Sequence, residues 1–459
     1  MSGEIRESCA VFGIYSDYAN VASSAFFALF ALQHRGQESS GIAASNGKTI
    51  ECHKEMGLVS QIFTPEILHH LTGNIAIGHN RYSTSGSSKI HNAQPITLKT
   101  HIGPVALAHN GNLINHNSLR KELLKKSIHF ESNSDSEIIA KLFALAEGKE
   151  IHKKIIKTMD RIKGAYSVVL CTLDKLVAFR DPQGIRPLCL GKINKNKGWV
   201  FSSETCALNT IGAKFVRELS PGEIVIIDKH GIKTYNYKDK KDTSSSLCIF
   251  EYIYFARPDS IINGRSVYAA RAKMGEFLTK EYHCDADLVM SIPDSGTPAS
   301  IGFANASDLP YVEGLIKNRY IARTFIQPED RIRKLGVKLK FNPVKDNIKG
   351  KRIILVDDSI VRGNTTRSIV KLLKEAGAKE VHVRVTSPPM THPCYLGVDT
   401  ATYEELIAAN HSIPKIAKFI GAKSLGYLSL EGLLKAVGIK KDTFCLACFN
   451  GKYPYSLKN

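Results

Sequence analysis

Apolar residues along this chain fall into short runs separated by turn-forming residues, and the pattern changes partway along. In the first half YSVVLC, LVAFR and EIVIID read as strands, and DPQGIRP and SPGE between them read as turns. Many short strands of this kind predict two stacked sheets with outer helices. The polar stretch NYKDKKDTSSS, residues 236–246, interrupts the pattern and marks a domain boundary. Beyond it, apolar strands alternate with amphipathic segments, which predicts a mostly parallel sheet. The length and a hydrophobic content of 43% supply two cores. No run approaches a membrane span, and no internal repeat is visible.

Within the second half, the stretch IILVDDSIVRGNTTRS, residues 353–368, combines a core strand with two acids and a hydroxyl-rich turn. The apolar residues 353–356 read as the strand, and 367–376 as the following helix. Gly363, Thr365 and Thr366 offer N–H groups and hydroxyls at a helix N-terminus, which favours an anion such as phosphate. Asp357 and Asp358 suit a vicinal diol, a divalent cation or positive charge developing on a ribose ring. An acidic pair alone also fits an ordinary turn. The whole string resembles the PRPP motif of phosphoribosyltransferases, in which the acids bind ribose hydroxyls and the loop cradles the 5′-phosphate. Asn364 departs from that motif, standing where the family often has Thr.

A second strand-loop-helix, residues 288–304, carries Asp294, Ser295, Gly296 and Thr297 at its turn and resembles the pyrophosphate loop of the same family. That resemblance implies Ser295, Asp357 and Asp358 as the residues near one Mg²⁺ per subunit. Between the two loops lies a basic segment, residues 317–342, which resembles a mobile loop closing over PRPP. Arg319 and Arg323 would neutralise pyrophosphate there, and Tyr320 and Phe325 would help exclude water.

In the first half, Cys9 precedes a strand-like run, and no signal peptide lies upstream. Four polar segments follow apolar runs and read as loops: QHRGQESSG, GHNRYSTSG, AHNGNLIN and SNSDSE. With Cys9 they match, in order, the N-terminal-nucleophile glutaminase domain of class II amidotransferases. The resemblance implies removal of residues 1–8 as a propeptide. The freed α-amine of Cys9, with a reference pKa of about 7.7 to 8.0, would then take the thiol proton. Asn110 and Gly111 would form the oxyanion hole, Arg81 would bind the glutamine carboxylate, and Asp135 its ammonium. His79, Thr84 and His109 are supporting residues in this reading.

Ten cysteines are too irregular for a disulfide framework, so the expected compartment is the cytoplasm. The CLAC pair, Cys445 and Cys448, reads equally as a redox pair or half a zinc site. The net charge of +19 raises a nucleic-acid partner, but the lysines are scattered and no element carries base-reading residues in an aromatic setting. Neither nucleic acid nor membrane is therefore an expected partner.

Both halves together resemble the amidophosphoribosyltransferase family nearly end to end, in its iron-sulfur bacterial-type branch. This implies a propeptide at 1–8, and an αββα sandwich of the N-terminal-nucleophile hydrolase type at 9–235. A type I phosphoribosyltransferase domain follows at 247–459, ending in a cluster-ligand segment. It also implies a 4Fe–4S cluster, one per subunit, on Cys248, Cys394, Cys445 and Cys448, acting as a structural staple. The implied reaction is transfer of ammonia from glutamine to PRPP, giving 5-phosphoribosylamine, glutamate and pyrophosphate, in the first committed step of purine synthesis. A homotetramer inhibited by purine nucleotides is implied as well. Two rivals each lack one half: another class II amidotransferase has no PRPP loop, and a PRPP-sensing regulator needs no glutaminase.

Overall fold

The computed structural model describes residues 9–17, 20–82, 88–193, 198–238, 245–318, 340–398, 400 and 402–456. The expectations for residues 1–8 and for Thr84, Arg319, Tyr320, Arg323 and Phe325 lie outside them.

The first half is built on two antiparallel sheets. One is seven-stranded, in the order β11-β9-β10-β1-β4-β2-β3. It contains β1 (Ala10–Ser16), β2 (Ser39–Ser45), β3 (Ile50–Met56), β4 (Ile75–Arg81), β9 (Cys189–Ile193), β10 (Gly198–Ser202) and β11 (Ala213–Glu218). The other is six-stranded, in the order β13-β12-β8-β7-β6-β5. It contains β5 (Ile96–Thr100), β6 (Gly103–Leu113), β7 (Gly164–Cys171), β8 (Leu176–Arg180), β12 (Glu223–Asp228) and β13 (Gly231–Asn236).

Alternate residues of each strand serve two cores. Val11, Ala106, Ala108 and Val169 meet between the sheets. Phe12 and Ile14 pack against helix Val21–Ala31 on the outside of one sheet. Val105, Leu107 and Val168 pack against helices Asp135–Leu145 and Ile151–Met159 on the outside of the other. Burial on both faces is why these strands read as continuous apolar runs. Four layers result, helix-sheet-sheet-helix.

One packing detail fixes the entry to the site. Asn20 caps helix Val21–Ala31 by accepting from Ser23 N at 3.0 Å. The fully buried Leu29 then seats on Gly78 of β4, where a Cβ would come within 2.8 Å of Leu29 Cδ1. Truncating such a leucine to alanine costs about 2–5 kcal/mol. The turn at residues 33–36 follows directly from this anchored helix.

The second half holds a four-stranded parallel sheet of β14 (Leu288–Ser291), β15 (Arg352–Asp357), β16 (Glu380–Val385) and β17 (Ser424–Tyr427), in that spatial order. Val289, Ile354 and Val356 face helices Val267–Glu281 and Thr297–Ser307. Met290, Ile353, Leu355 and Val383 face helices Asn364–Glu375 and Ile413–Ile420. The first of these cores also takes in Ala165 and Ile185, so the halves share buried apolar contact.

Several local expectations need correction. Residues 39–41, 78–81 and 108–113 are strand, not loop, because β2, β4 and β6 run to the edge of the sandwich and carry their polar ends with them, and residues 135–137 are the first turn of a helix. The helix expected from 367 begins at Asn364, so Thr365 and Thr366 form its first turn. The αL conformation of Gly363 starts the helix there, and the amphipathic period alone does not reveal that.

Candidate functional site

The first site lies where β1, β4 and β6 end together. Cys9 precedes β1 and is buried, with Sγ donating to the Tyr82 carbonyl at 3.2 Å and lying 3.3 Å from Tyr82 N. Burial pushes its thiol up, the Tyr82 backbone opposes this, and the charges of Arg81, Glu38 and Asp135 all reach the sulfur. A thiol held protonated in this way needs a base to become a nucleophile.

Asn110 and Gly111 lie in β6, paired with Ser167 and Tyr166 of β7. The Asn110 side chain is fully buried, and among the described residues neither its amide nitrogen nor its oxygen has a hydrogen-bond partner. A buried amide in that state costs about 1–3 kcal/mol unless something binds it. Gly111 has φ 152°, and a Cβ there would lie 2.0 Å from the Ala165 carbonyl oxygen, so only glycine fits.

Arg81 ends β4 and pairs with the buried Glu38 at 3.3 Å. Asp135 opens its helix behind the Ser134 cap and accepts from Leu113 N at 2.9 Å, tying the ammonium-binding candidate to the oxyanion strand. His109 Nδ1 stands 4.0 Å from the other Asp135 oxygen and 3.0 Å from Ser136 Oγ. His79 Nε2 contacts the His109 carbonyl at 3.0 Å, and burial lowers its pKa to about 3. A neutral His79 with its proton on Nε2 satisfies that contact.

The second site is a cavity of about 560 Å³ above the ends of β14 and β15. Parallel pairing of these neighbouring strands brings the two candidate loops together. Ser295 Oγ donates to Asp358 Oδ2 at 2.5 Å, and Asp357 Oδ1 accepts from Asp358 N at 2.9 Å. Lys317 Nζ reaches Asp294 at 2.8 Å. Gly363, with φ 74°, is the N-cap of helix Asn364–Glu375, so the first-turn N–H groups of Asn364, Thr365 and Thr366 face the cavity end.

Several residues with no local motif complete these sites. Arg271 lines the second cavity and is 2% exposed. It donates to the Tyr252 and Ala256 carbonyls at 2.7 and 2.8 Å, and burial lowers its pKa to about 10 while Asp358 opposes this. Gln33, His34 and Gln37, from the turn beside the first site, also line this cavity.

Between them lies Arg35, buried, with Nε donating to the Cys9 carbonyl at 3.2 Å. Its other nitrogens donate to Glu204 at 2.6 Å and to both oxygens of Glu251 at 2.8 and 2.9 Å. Burial works to raise the Glu204 carboxyl, but His34 and Arg35 outweigh it and hold the group well below the carboxylate range. Glu204 also accepts from Arg257 N at 2.8 Å and Ser260 Oγ at 2.7 Å. A lone acid within the apolar run CIFEYIYF was the one sequence signal for Glu251.

The four cysteines singled out in the second half converge. Cys248 and Cys445 are register neighbours in a short parallel bridge. Each of Cys248, Cys445 and Cys448 lies within electrostatic reach of other members of the set, Cys394 included. Burial raises the thiols of Cys248, Cys445 and Cys448, that of Cys445 to about 12. Among the described residues no three His, Cys, Asp or Glu side chains close on a single ion. The ligating sulfurs of an iron-sulfur cube sit farther apart than those around one ion, so a thiol quartet of this kind, two buried and two half-buried, fits a cluster.

Comparison with known proteins bears on both halves. A family model described as glutamine amidotransferase domain matches residues 79–210, and one described as phosphoribosyl transferase domain matches 261–411. The chain is 51% identical to the amidophosphoribosyltransferase of Synechococcus elongatus, over 98% of this chain and 92% of that protein. It is 49% identical to that of Methanocaldococcus jannaschii, over 97% of each chain. Among solved structures, the glutamine PRPP amidotransferase from B. subtilis complexed with ADP and GMP superposes with a TM-score of 0.92 at 43% identity, covering 98% of both chains.

Proposed function

The chain belongs to the amidophosphoribosyltransferase family, and we propose that its two sites divide that family's reaction between the two halves. The reaction is the first committed step of purine biosynthesis: glutamine and PRPP give 5-phosphoribosylamine, glutamate and pyrophosphate.

In the first half, Cys9 is the nucleophile. Removal of residues 1–8 frees its α-amine, which accepts the thiol proton, and Sγ attacks the glutamine carboxamide. The orphaned Asn110 amide and the Gly111 N–H stabilise the developing oxyanion. Arg81, steadied by Glu38, binds the substrate carboxylate, and Asp135 binds the ammonium. The proton then passes to the leaving ammonia, and water releases glutamate.

In the second half, the first turn of helix Asn364–Glu375, with Gly363, Thr365 and Thr366, holds the 5′-phosphate. Asp357 and Asp358 hold the ribose hydroxyls and stabilise positive charge on the ring as pyrophosphate departs and ammonia attacks C1. Arg319 and Arg323 neutralise the leaving pyrophosphate. Ser295, Asp357 and Asp358 would hold Mg²⁺, which when bound supplies charge neutralisation for the pyrophosphate oxygens. Cys248, Cys394, Cys445 and Cys448 would hold a 4Fe–4S cluster, which when bound cross-links distant segments of the second half. The B. subtilis relative solved with ADP and GMP supports purine nucleotides as inhibitors.

The buried, unpartnered Asn110 amide beside Gly111, in a chain that also carries the cavity of Asp357 and Asp358, is the observation that supports this reading best. Pyrophosphate release that requires PRPP together with glutamine or ammonia tests it. Release with PRPP alone would overturn it.

A further inference from the structure

We propose that Glu251, a residue of the second half, is a positioning residue for the nucleophile of the first, acting through Arg35. The inference rests on the functional reading of Cys9 given above.

Glu251 is fully buried and takes Arg35 in a two-oxygen fork, Oε2 to Nη1 at 2.8 Å and Oε1 to Nη2 at 2.9 Å. A fork of this kind fixes the plane of the guanidinium as well as its position. The edge of that plane carries Nε, which donates to the Cys9 carbonyl at 3.2 Å. Holding this carbonyl sets the peptide plane beyond the Cys9 Cα. The α-amine and Sγ are then left to turn about one fixed frame, with Sγ against the Tyr82 backbone.

Arg35 has little freedom to find another pose. Its neighbour Gly36 lies against the backbone at Asn80 and Arg81, where a Cβ would come within 2.7 Å of either carbonyl carbon. Glu204 accepts from Nη1 as well, at 2.6 Å. Arg186 shares the Glu251 Oε1 atom at 3.4 Å while donating to the Leu396 carbonyl at 3.1 Å. Glu251 is thereby also held by Arg186 of the first half, which reaches the second half at the Leu396 carbonyl, independently of Arg35. A shift of the segment at Glu251 is transmitted to the Cys9 carbonyl through two rigid hydrogen-bonded links.

A purely structural ion pair predicts a different result. Breaking one would loosen both halves and lower both reactions together, since a buried charge left alone is destabilising wherever it lies. A positioning role lowers only the chemistry at Cys9.

The test uses the full-length protein and the variants Glu251→Gln and Glu251→Asp, with folding followed by thermal melting. Glutamine hydrolysis, ammonia-dependent synthesis with ammonium replacing glutamine, and alkylation of Cys9 by a diazo-ketone analogue of glutamine are measured. Glu251→Gln is expected to lower the glutamine kcat and the alkylation rate by about tenfold or more, with the glutamine KM moving less than about threefold. Ammonia-dependent synthesis is expected to stay within about twofold, and Glu251→Asp to recover part of the loss. Equal losses in both reactions, or no loss in either, overturn the proposal. If Glu251→Gln does not fold, the same ratio in Glu251→Asp and Arg35→Lys decides it. A wild-type protein without ammonia-dependent synthesis would instead undo the functional reading, whereas unchanged ratios in the variants of an active protein undo only this inference.

Discussion

Gly111 lies so close to Ala165 that a Cβ on Gly111 would stand 2.0 Å from the Ala165 carbonyl oxygen. Strand β6 is therefore pressed on its neighbour β7 at the position of the proposed oxyanion N–H. Gly111→Ala forces one strand away from the other, and glutamine hydrolysis should be lost. Asn110→Ala, which removes the orphaned amide without crowding, should lower kcat for glutamine by about 10²- to 10³-fold. Glutamate release reads both, and ammonia-dependent synthesis should persist in Asn110→Ala. An Asn110→Ala enzyme with full glutamine turnover would exclude the oxyanion role.

Cys9 has its thiol raised by burial, so the base that removes its proton matters. Protein that retains residues 1–8 has no α-amine at Cys9 and should release no glutamate from glutamine. N-terminal mass measured on the same preparation as activity checks this. Cys9→Ala should abolish glutamine-dependent synthesis and leave the ammonia-dependent reaction intact. Loss of both, in a folded chain, would contradict the division between the halves.

Asp358 accepts from Ser295 across the two loops of the second site, and Asp357 braces the Asp358 backbone. Asp358→Asn keeps the shape and removes the charge. Ammonia-dependent synthesis should fall by about 10²-fold, the scale of one preorganised group in a charged transition state. Basal glutamine hydrolysis should change little. Initial rates with ammonium and saturating PRPP measure the first, and glutamate release without PRPP the second.

His79 gives a pH dependence of stability. Its folded pKa is lowered to about 3 by burial, against about 6.5 when unfolded. Between those values the unfolded chain binds the extra proton, so stability is fully present above about pH 6.5 and is lost as pH falls toward 3. Melting temperature should therefore decline between pH 6.5 and 4, and His79→Asn should flatten that decline. Parallel curves for the two proteins would rule His79 out as the cause.

Cys394→Ser removes one thiol from the converging set of Cys248, Cys445 and Cys448. Iron and sulfide content in anaerobically purified protein should fall together, and the melting temperature should drop with them. Iron content equal to wild type would count against Cys394 as a ligand.

The acidic and hydroxyl-bearing turn after β15 was legible in the sequence because such a turn is made by consecutive residues. Strand, turn and helix start follow one another, and the chemistry is written in the same order. Cys9, Asn110, Gly111 and Asp135 could be proposed from separated motifs, each carrying its own local signature. The extent of strand at residues 78–81 and 108–113 was not legible, because polar residues at a strand end look like the start of a loop.

The sequence by itself determined two domains, a set of residues resembling a glutaminase's and a turn resembling a phosphate loop. Only the tertiary structure decided that Arg35 meets Glu251, 216 residues away, and that the turn carrying Arg35 also lines the second cavity. It alone set Ser295 beside Asp358 and paired Cys248 with Cys445. The physical reason is that a period of 2 or 3.6 reports which face of an element is buried and says nothing about what it is buried against. Charges that compensate each other across a domain boundary leave no local pattern, and become visible only when both are out of water together.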